Sequence, residues 1–480
     1  MKPSDVPDIV RQSGGILQIN NQAIDIFSGN IKPYVTELIK CQLSEQAAQQ
    51  ALNRNVPINI LPKIIDKLTN IYQTSVIRTP STDREQDKNL IGYYEKSSRM
   101  NVKMNCTNEL YNLCNASLLQ PYVYDGKPQL RAIQNNHFVV YSDNPIDPTI
   151  PTHVILVYTR KTKSGPEQYY WVYSDNEIYA VDAQGRVATD IMMEAGMYDE
   201  FGNITGANPI GKIPFVYASA SEYSLTPMPD EDGLTICKLL PVMLTDLNLA
   251  AMFQCFSILY IINGDQSGLK FSPNALWEIN QSPNSEKAPE IGSIKPTVDY
   301  AQVINLVATE LSTWLWTRGI RGGTVGQLSA DNFASGISKI IDEMDTFEAR
   351  QKQVSAFQKV ESDYWNLIAN YMHPYWLRTN QIEQVGEFTP GCEVSTAFAV
   401  QLPLQSRGAV VKDLAEEVKS GFISRKRAIS KLNPELSDKE VDDLISEIDE
   451  ENSIDVAEDQ IGDPRDADET TEGGSRGPSN

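Results

Sequence analysis

The sequence predicts an α+β fold in which helices and strands are segregated along the chain. Three observations carry this: a mainly helical pattern over residues 1–120, a switch to short β-type runs over 118–217, and a return to long apolar-striped helices after about residue 232. At 480 residues the chain exceeds what one ordinary core holds, so two or more subdomains are expected. Its 41% hydrophobic and 22% charged residues are the composition of a soluble globular protein.

In the N-terminal part the clearest helices span 31–53 and 61–73, punctuated by Pro57 and Pro62. The β-rich part follows as LLQPYVY, HFVVYSD, THVILVYTRK, EQYYWVYSD, EIYAVD and IPFVYAS, separated by DGK, DNP, KSGP and AQG turns, hence an antiparallel sheet. Tyr and Val at alternate positions suit a half-buried face. The aromatic run Tyr169 to Tyr173 therefore reads as sheet packing rather than a stacking platform for bases. A helix over 232–260 is apolar round most of its circumference, from Ile236 and Leu239 to Phe253 and Leu259, and should be buried on more than one side. The segment 261–296, rich in Gly, Pro, Asn and Ser, is too long for a plain connection and is expected to be a small excursion carrying an interaction surface.

A second helix starts behind Pro296 and runs over 298–317, with Tyr300, Ile304, Val307, Leu311, Trp314 and Leu315 on one face. A third, over 336–372, holds one stripe from Ile337 to Tyr371 until Pro374, which is expected to end it. At 1.5 Å per residue it spans on the order of 55 Å, long enough to bridge parts of an assembly. Between the two lies RGIRGGTVGQLSADNFASG, from Arg318 to Gly336. Its five glycines each cost about 1 kcal/mol in a helix interior, so this is a flexible loop between two rods. A strand pair over 381–390 and 395–403 and helices over 407–419 and 437–450 complete the reading, and the chain beyond Asn452 is expected to be disordered.

The net charge of −22 is unevenly placed: from Glu435 to Asn480 there are seventeen acids against three bases, which leaves −8 for the rest. No basic stripe of the kind a sequence-reading nucleic-acid binder carries is present, so any contact with DNA would be loose. The six cysteines show neither a C-x-x-C pair nor a regular framework, and Cys237 and Cys255, in an apolar helical run, read as reduced core thiols. The N-terminus has no apolar signal core, and the run Leu247 to Ile262 is shorter than a membrane span, so a soluble protein of a reducing compartment is expected, with no membrane contact. The sequons at Asn105, Asn115 and Asn203 are then chance matches.

No catalytic constellation, metal or cofactor site emerges, so the chain is not expected to be an enzyme. His137, His153 and His373 are scattered without metal-ligand spacing. The loop from Gly319 to Gly326 lacks the G-K-[ST] ending that would hold phosphate and Mg²⁺. Ser338 lacks the closing glycine of a nucleophile elbow.

Several stretches, in one order over about residues 20–450, resemble the portal proteins of tailed bacteriophages. They are Phe27-Ser28-Gly29-Asn30, Asn53 to Asn59 followed by Lys63-Ile64-Ile65-Asp66-Lys67, Gly211-Lys212-Ile213-Pro214-Phe215-Val216, Ala334-Ser335-Gly336-Ile337, and Gly421-Phe422-Ile423-Ser424 through Leu432-Asn433-Pro434. The resemblance implies a portal-type fold: a wing over 1–230, stem helices over 231–258 and 297–318, a clip over 259–296 and a tunnel loop over 319–335. It further implies a long helix with returning wing strands over 336–404, crown helices over 405–450 and an acidic tail over 451–480. It implies a homo-oligomeric ring, usually of twelve subunits, at one capsid vertex of the virion. Double-stranded DNA would be pumped through that ring by a terminase, retained, and later ejected. A head-tail adaptor and the major capsid or scaffolding protein are the further partners it implies.

On this reading Arg318, Arg321 and Lys339 are cations for the channel, with Gly322 and Gly323 as its flexible points and Gln327 and Asn332 as neutral contacts. The alternative for Arg318 and Arg321 is pairing with acids of a neighbouring subunit. Lys270, Phe271, Trp277 and Lys287 mark the clip interface, with a local mini-core as the alternative for the two aromatics. Arg425, Lys426 and Arg427, with Arg407, Lys412, Lys419 and Lys431, form a basic patch in the crown that faces DNA or balances the acidic helix after it. Another non-catalytic virion component, such as a connector or baseplate protein, is the rival reading.

Overall fold

Apolar residues three and four apart raise a run of short helices at the start of the chain: α1 (Val6–Gln12), α2 (Gly14–Phe27), α3 (Lys32–Gln42), α4 (Glu45–Leu52) and α5 (Leu61–Leu68). The structure is a computed structural model. It describes the 480 residues except 163–164, 200, 256–257, 263–289, 295–299, 319–335, 384, 400–406, 433–440, 443 and 449–480. Side chains at 251–255, 258–261, 291–294, 300–301, 336–349 and 407–410 also lie outside it. The helix expected over 31–53 is two helices, because Leu43 (φ −115°, ψ 154°) and Ser44 (φ −61°, ψ 155°) are extended. Serine favours that conformation ahead of a new helix. Pro62 sits in the first turn of α5, where its missing N–H has no helical partner to lose, and Asn59 Oδ1 accepts the Leu61 N–H at 3.2 Å.

After β1 (Val76–Pro80), α6 (Glu85–Ser98) and α7 (Met100–Cys114) meet at Arg99 (φ 51°). Asn115 (φ 58°), one of the residue types that tolerate the left-handed region, then turns the chain into strands. The β-rich part is two antiparallel sheets rather than one. β2 (Ala116–Tyr124) pairs with β3 (Lys127–Ile133) and β8 (Val216–Ser219), while β4 (Phe138–Tyr141), β5 (His153–Thr162), β6 (Gly165–Tyr173) and β7 (Ile178–Asp182) form a meander in that order. β3 carries Pro128 and lies at a sheet edge, where proline is tolerated. The aromatic run packs as expected: Tyr170 is buried opposite Val157, and Tyr173 meets Phe215 edge-on at 4.8 Å. The small helix α8 (Thr189–Glu194) follows β7.

α9 (Glu231–Cys255) and α10 (Tyr300–Thr317) flank β9 (Ile258–Ile262) and β10 (Glu290–Ile294), which pair antiparallel and so bring the two ends of the predicted excursion together. The excursion itself, 263–289, lies outside the described residues, as does the glycine loop 319–335. Over Glu231–Ala250, α9 has a mean hydropathy of 1.3 and is, by length and composition alone, apolar enough to cross a membrane. A core helix of a soluble protein passes the same test, and this one buries Leu234, Cys237 and Val242 in a core with Trp314 and Leu315. Burial pushes the Cys237 thiol up to about 12, as befits a core thiol; the Cys255 side chain lies outside the described residues.

α11 (Gly336–Leu367) does not stop at Pro374. A π-turn over Ile368–Met372 widens the helix by one residue, and α12 (His373–Arg378) continues with Pro374 in its first turn, where proline removes no needed hydrogen bond. The strand pair expected after it is also different. Residues 381–390 are irregular, and β11 (Val394–Phe398) pairs with β1, Val76 against Phe398, across more than three hundred residues of chain.

The largest buried side chains, Trp365, Tyr94, Tyr364 and Phe357, form the core where α11 crosses α6, α7 and β1. A charged network sits inside it. Arg78 of β1 donates to Glu361 of α11 from Nε (2.8 Å) and Nη2 (2.6 Å), and to Glu95 (2.6 Å) and Asn101 (2.9 Å) from Nη1. Tyr72 Oη (3.0 Å) and Trp365 Nε1 (3.3 Å) also donate to Glu361. Burial works against the Arg78 charge, but the bonds and charge of Glu361, then Glu95, outweigh it and hold the guanidinium above its ordinary value.

His373 is fully buried, with Nε2 2.8 Å from the Gly386 carbonyl and Nδ1 2.8 Å from Tyr94 Oη. A carbonyl only accepts, so Nε2 carries the proton, Tyr94 donates to Nδ1, and the ring is neutral. Burial lowers its pKa below 6.5, as it does for His153. A lowered histidine contributes stability that is present above pH 6.5 and is lost as pH falls below it, because the unfolded chain then binds more protons. Asp87 adds to the acid end. Burial raises its carboxyl, but bonds from Thr389 and Thr82 outweigh this and lower it below 3.8, so its contribution is lost as pH falls through that lowered value. Stability should therefore decline from about pH 6.5 downward, and His373→Gln should flatten the upper part of that decline in an acid-unfolding series. An unchanged profile would refute the neutral-ring assignment.

Leu402–Asn480 clusters as a unit apart from Met1–Gln401. It contains α13 (Arg407–Lys419), with the expected bounds, and α14 (Arg425–Leu432), around buried Leu414, Ala428 and Val441. The helix expected over 437–450 is only partly described, and the tail beyond 449 lies outside the described residues.

Candidate functional site

Asp230 closes the start of α9. Its Oδ1 accepts the Gly233 N–H and its carbonyl the Leu234 N–H, both at 3.1 Å, which makes it the N-cap. Its Oδ2 reaches the far end of α10, accepting from Trp314 Nε1 (2.9 Å) and Arg318 Nε (2.7 Å), with Arg318 Nη2 paired to it as well. One carboxylate thus ties the first turn of α9 to the last turn of α10. The β9–β10 ladder closes the other ends of the same two helices.

Gly233 is what allows the approach. A Cβ there would lie 2.4 Å from Trp314 Cζ2 and 2.7 Å from Asp230 Oδ2, so the buried indole lies directly against the α9 backbone. The Arg318 N–H completes the end of α10 by donating to the Leu315 carbonyl at 3.0 Å. The chain enters 319–335 from this fixed point. At the other side of that segment, α11 is anchored to the core through Glu361.

Of the residues singled out in the sequence, Arg318 is therefore placed, and it is held by an acid of its own chain. Arg321, Gly322, Gly323, Gln327, Asn332, Lys270, Phe271, Trp277 and Lys287 lie outside the described residues, and Lys339 is on the first turn of α11 with its side chain outside them. In α14, Ser424 Oγ caps the first turn by accepting the Arg427 N–H at 3.2 Å, and Lys426 Nζ pairs with Asp442 at 2.6 Å. Lys431 pairs with Glu417 at 3.7 Å. Arg425, Lys426 and Arg427 thus share one helix turn, with at least part of their charge met by acids of the same unit. Asp230, Gly233, Arg78 and Glu361 were missed. Asp230 ahead of an apolar helical run carries the sequence signature of an N-cap, but nothing local announces its partners.

Among the described residues no three His, Cys, Asp or Glu side chains converge as a metal would need. A cavity of about 650 Å³ between β8 and α11 is lined by Phe215, Tyr217, Lys359 and Tyr371, among others, and Lys212 in its lining is paired with Asp175 at 2.7 Å.

A family model described as phage portal protein, SPP1 Gp6-like, matches residues 18–307, from α2 into α10. The chain belongs to the phage portal protein family. Its portal-type α+β fold and its place among the portal and connector components of phage particles follow from that membership. Two solved structures are similar to this portal-family chain. The neck of a native GTA particle computed with C12 symmetry is 8% identical, with a TM-score of 0.43, and the match covers 79% of this chain and 90% of that one. The neck of an empty GTA particle computed with C6 symmetry is 10% identical, with a TM-score of 0.39, covering 78% and 89%. No curated protein matches the sequence.

Proposed function

We propose that this chain forms a homo-oligomeric ring, of about twelve subunits by its resemblance to the family, at one capsid vertex of a phage virion. The ring is a non-catalytic conduit: a terminase drives double-stranded DNA through it during packaging, it retains the genome, and it passes the genome to the tail on ejection. The family match over residues 18–307 carries this reading. Residues 1–230 with β11 are then the wing, α9 and α10 the stem, and 259–296 the clip that docks a head-tail adaptor and the terminase. The segment 319–335 is the tunnel loop, and 405–450 is the crown. Capsid or scaffolding protein meets the ring from outside, and assembly takes place in the host cytoplasm.

The electrostatics support a sliding rather than a gripping channel. Each phosphate neutralised adds affinity, so a conduit needs few free cations, and α10 carries none between Tyr300 and Thr317. Arg318, held by Asp230, orients the entry to the tunnel loop. Arg321 and Lys339 are the remaining channel cations, with Gln327 and Asn332 as neutral contacts. Negative-stain electron microscopy of the purified full chain should show a ring with an axial channel. A compact monomer under assembly conditions would sink this reading.

A further inference from the structure

β2 and β3 form a hairpin whose two faces differ. Leu119 and Leu130 are buried on the inner face, so strand alternation puts Tyr122, Tyr124, Lys127, Gln129 and Arg131 on the outer one. Across the strands Tyr124 lies opposite Lys127, Tyr122 opposite Gln129 and Gln120 opposite Arg131. Gln129 Nε2 donates to the Ser97 carbonyl in the last turn of α6 at 3.2 Å, which brings Lys96 and Arg99 of the α6–α7 corner beside the hairpin. Four cations scattered in the sequence, Lys96, Arg99, Lys127 and Arg131, thus meet on one surface, and all four are exposed. None forms an ion pair among the described residues. Arg131 donates only to neutral oxygens, Gln120 Oε1 at 2.7 Å and Tyr158 Oη at 3.5 Å, with its guanidinium 5.9 Å from the centre of the Tyr122 ring. Of the acids nearest in sequence, Glu95 accepts from Arg78 at 2.6 Å, and Asp125 stands in the hairpin turn.

Water covers a lone lysine at little cost, but several cations at one corner without carboxylates of their own make a field that favours a polyanion. At physiological salt, charges beyond about 8 Å are screened, so the acids elsewhere on the chain do not cancel it. Tyr122 and Tyr124, 36% and 72% exposed, indicate which polyanion fits. Flat rings among cations suit nucleic acid, whose phosphates meet the cations while its sugars and bases meet the rings; an acidic peptide offers only the charges. We infer that the outer face of this hairpin, with the α6–α7 corner, binds DNA through its sugar-phosphate backbone without reading sequence. The proposed function puts these residues in the wing, away from stem and tunnel loop, and the inference stands whether or not the chain forms a ring.

The test measures binding of a short fluorescent DNA duplex to the purified full chain by anisotropy. With about four phosphates neutralised, affinity should fall about a hundredfold between about 50 and about 200 mM salt. Replacing the patch by Lys96→Gln, Arg99→Asn, Lys127→Gln and Arg131→Gln together should weaken binding at the lower salt about tenfold or more and remove most of the salt dependence. Asparagine suits the left-handed Arg99 position. A control with the same change in net charge, Lys32→Gln, Lys40→Gln, Lys63→Gln and Lys67→Gln on exposed positions of α3 and α5, should stay within about twofold of the parent. Should the fourfold patch change disturb folding, Lys127→Glu alone, at an exposed strand end, should still weaken binding about threefold or more. No measurable binding at the lower salt, unchanged binding by the patch variants, an equal loss in the control, or competition by poly-glutamate as strong as by DNA overturns the inference. A chain that binds DNA in this way but forms no ring would count against the proposed function and leave this site standing.

Discussion

Replacing Glu361 with alanine is expected to cost about 3–5 kcal/mol of stability, because it removes one partner of a buried ion pair and leaves the other behind. Glu361 is wholly buried and accepts from Arg78 twice, from Tyr72 and from Trp365. After the change Arg78 keeps only Glu95 and Asn101, both on Nη1, while two aromatic donors are left in the core without an acceptor. Each buried unsatisfied donor adds about 1–3 kcal/mol. Joint replacement by Arg78→Met and Glu361→Leu should recover the part of the loss that comes from the unpaired guanidinium, since a buried pair exchanged for apolar groups of similar volume is often neutral, while Tyr72 and Trp365 still lack their acceptor. Thermal and urea unfolding of the three proteins decides between these outcomes. A fall of less than about 1 kcal/mol for Glu361→Ala would mean that the apolar core alone fixes α11. On the proposed reading the network also sets where α11 points as it leaves the tunnel loop, so the same variant should yield rings with less sharply defined channels.

The network shows what could and could not be read from the chain. Helix stripes and the β-type runs are local patterns, and they were legible residue by residue. The pairing of β1 with β11 was not, because its partners are separated by more than three hundred residues, and a strand's own pattern does not say which distant strand it meets. The passage of the helix through Pro374 was hidden for a different reason. A π-turn changes the hydrogen-bond register one turn upstream, and no residue type announces it. β3 was overlooked because KPQLRAI reads as polar with a proline, which is what an edge strand allows. At the α9–α10 junction, Arg318 stood out as a cation beside glycines, whereas its acid lies 88 residues earlier. Sequence periodicity finds faces of elements; it does not find which charge on one element meets which on another.

Gly233→Ala is expected to destabilise the chain by about 1–3 kcal/mol, although alanine is the better helix former by about 1 kcal/mol. The new methyl would sit 2.4 Å from Trp314 Cζ2 and 2.7 Å from Cε2, inside contact distance of a rigid ring that is only 6% exposed. The indole must move, and its Nε1–H then leaves Asp230. Asp230→Asn makes the comparison informative. Asparagine still caps α9 through its side-chain oxygen, but its NH2 then faces Trp314 Nε1–H and Arg318, which lose their acceptor without any crowding of the indole, so its loss should be about 1–3 kcal/mol. The decisive measurement is a double-mutant cycle of Gly233→Ala with Trp314→Leu. Leucine vacates the space that the methyl needs, so the two changes together should cost clearly less than the sum of each alone. Additive losses would show that Gly233 is needed for something other than the approach of Trp314. On the proposed reading, both variants should also weaken DNA retention, because each loosens the helix end from which the tunnel loop departs.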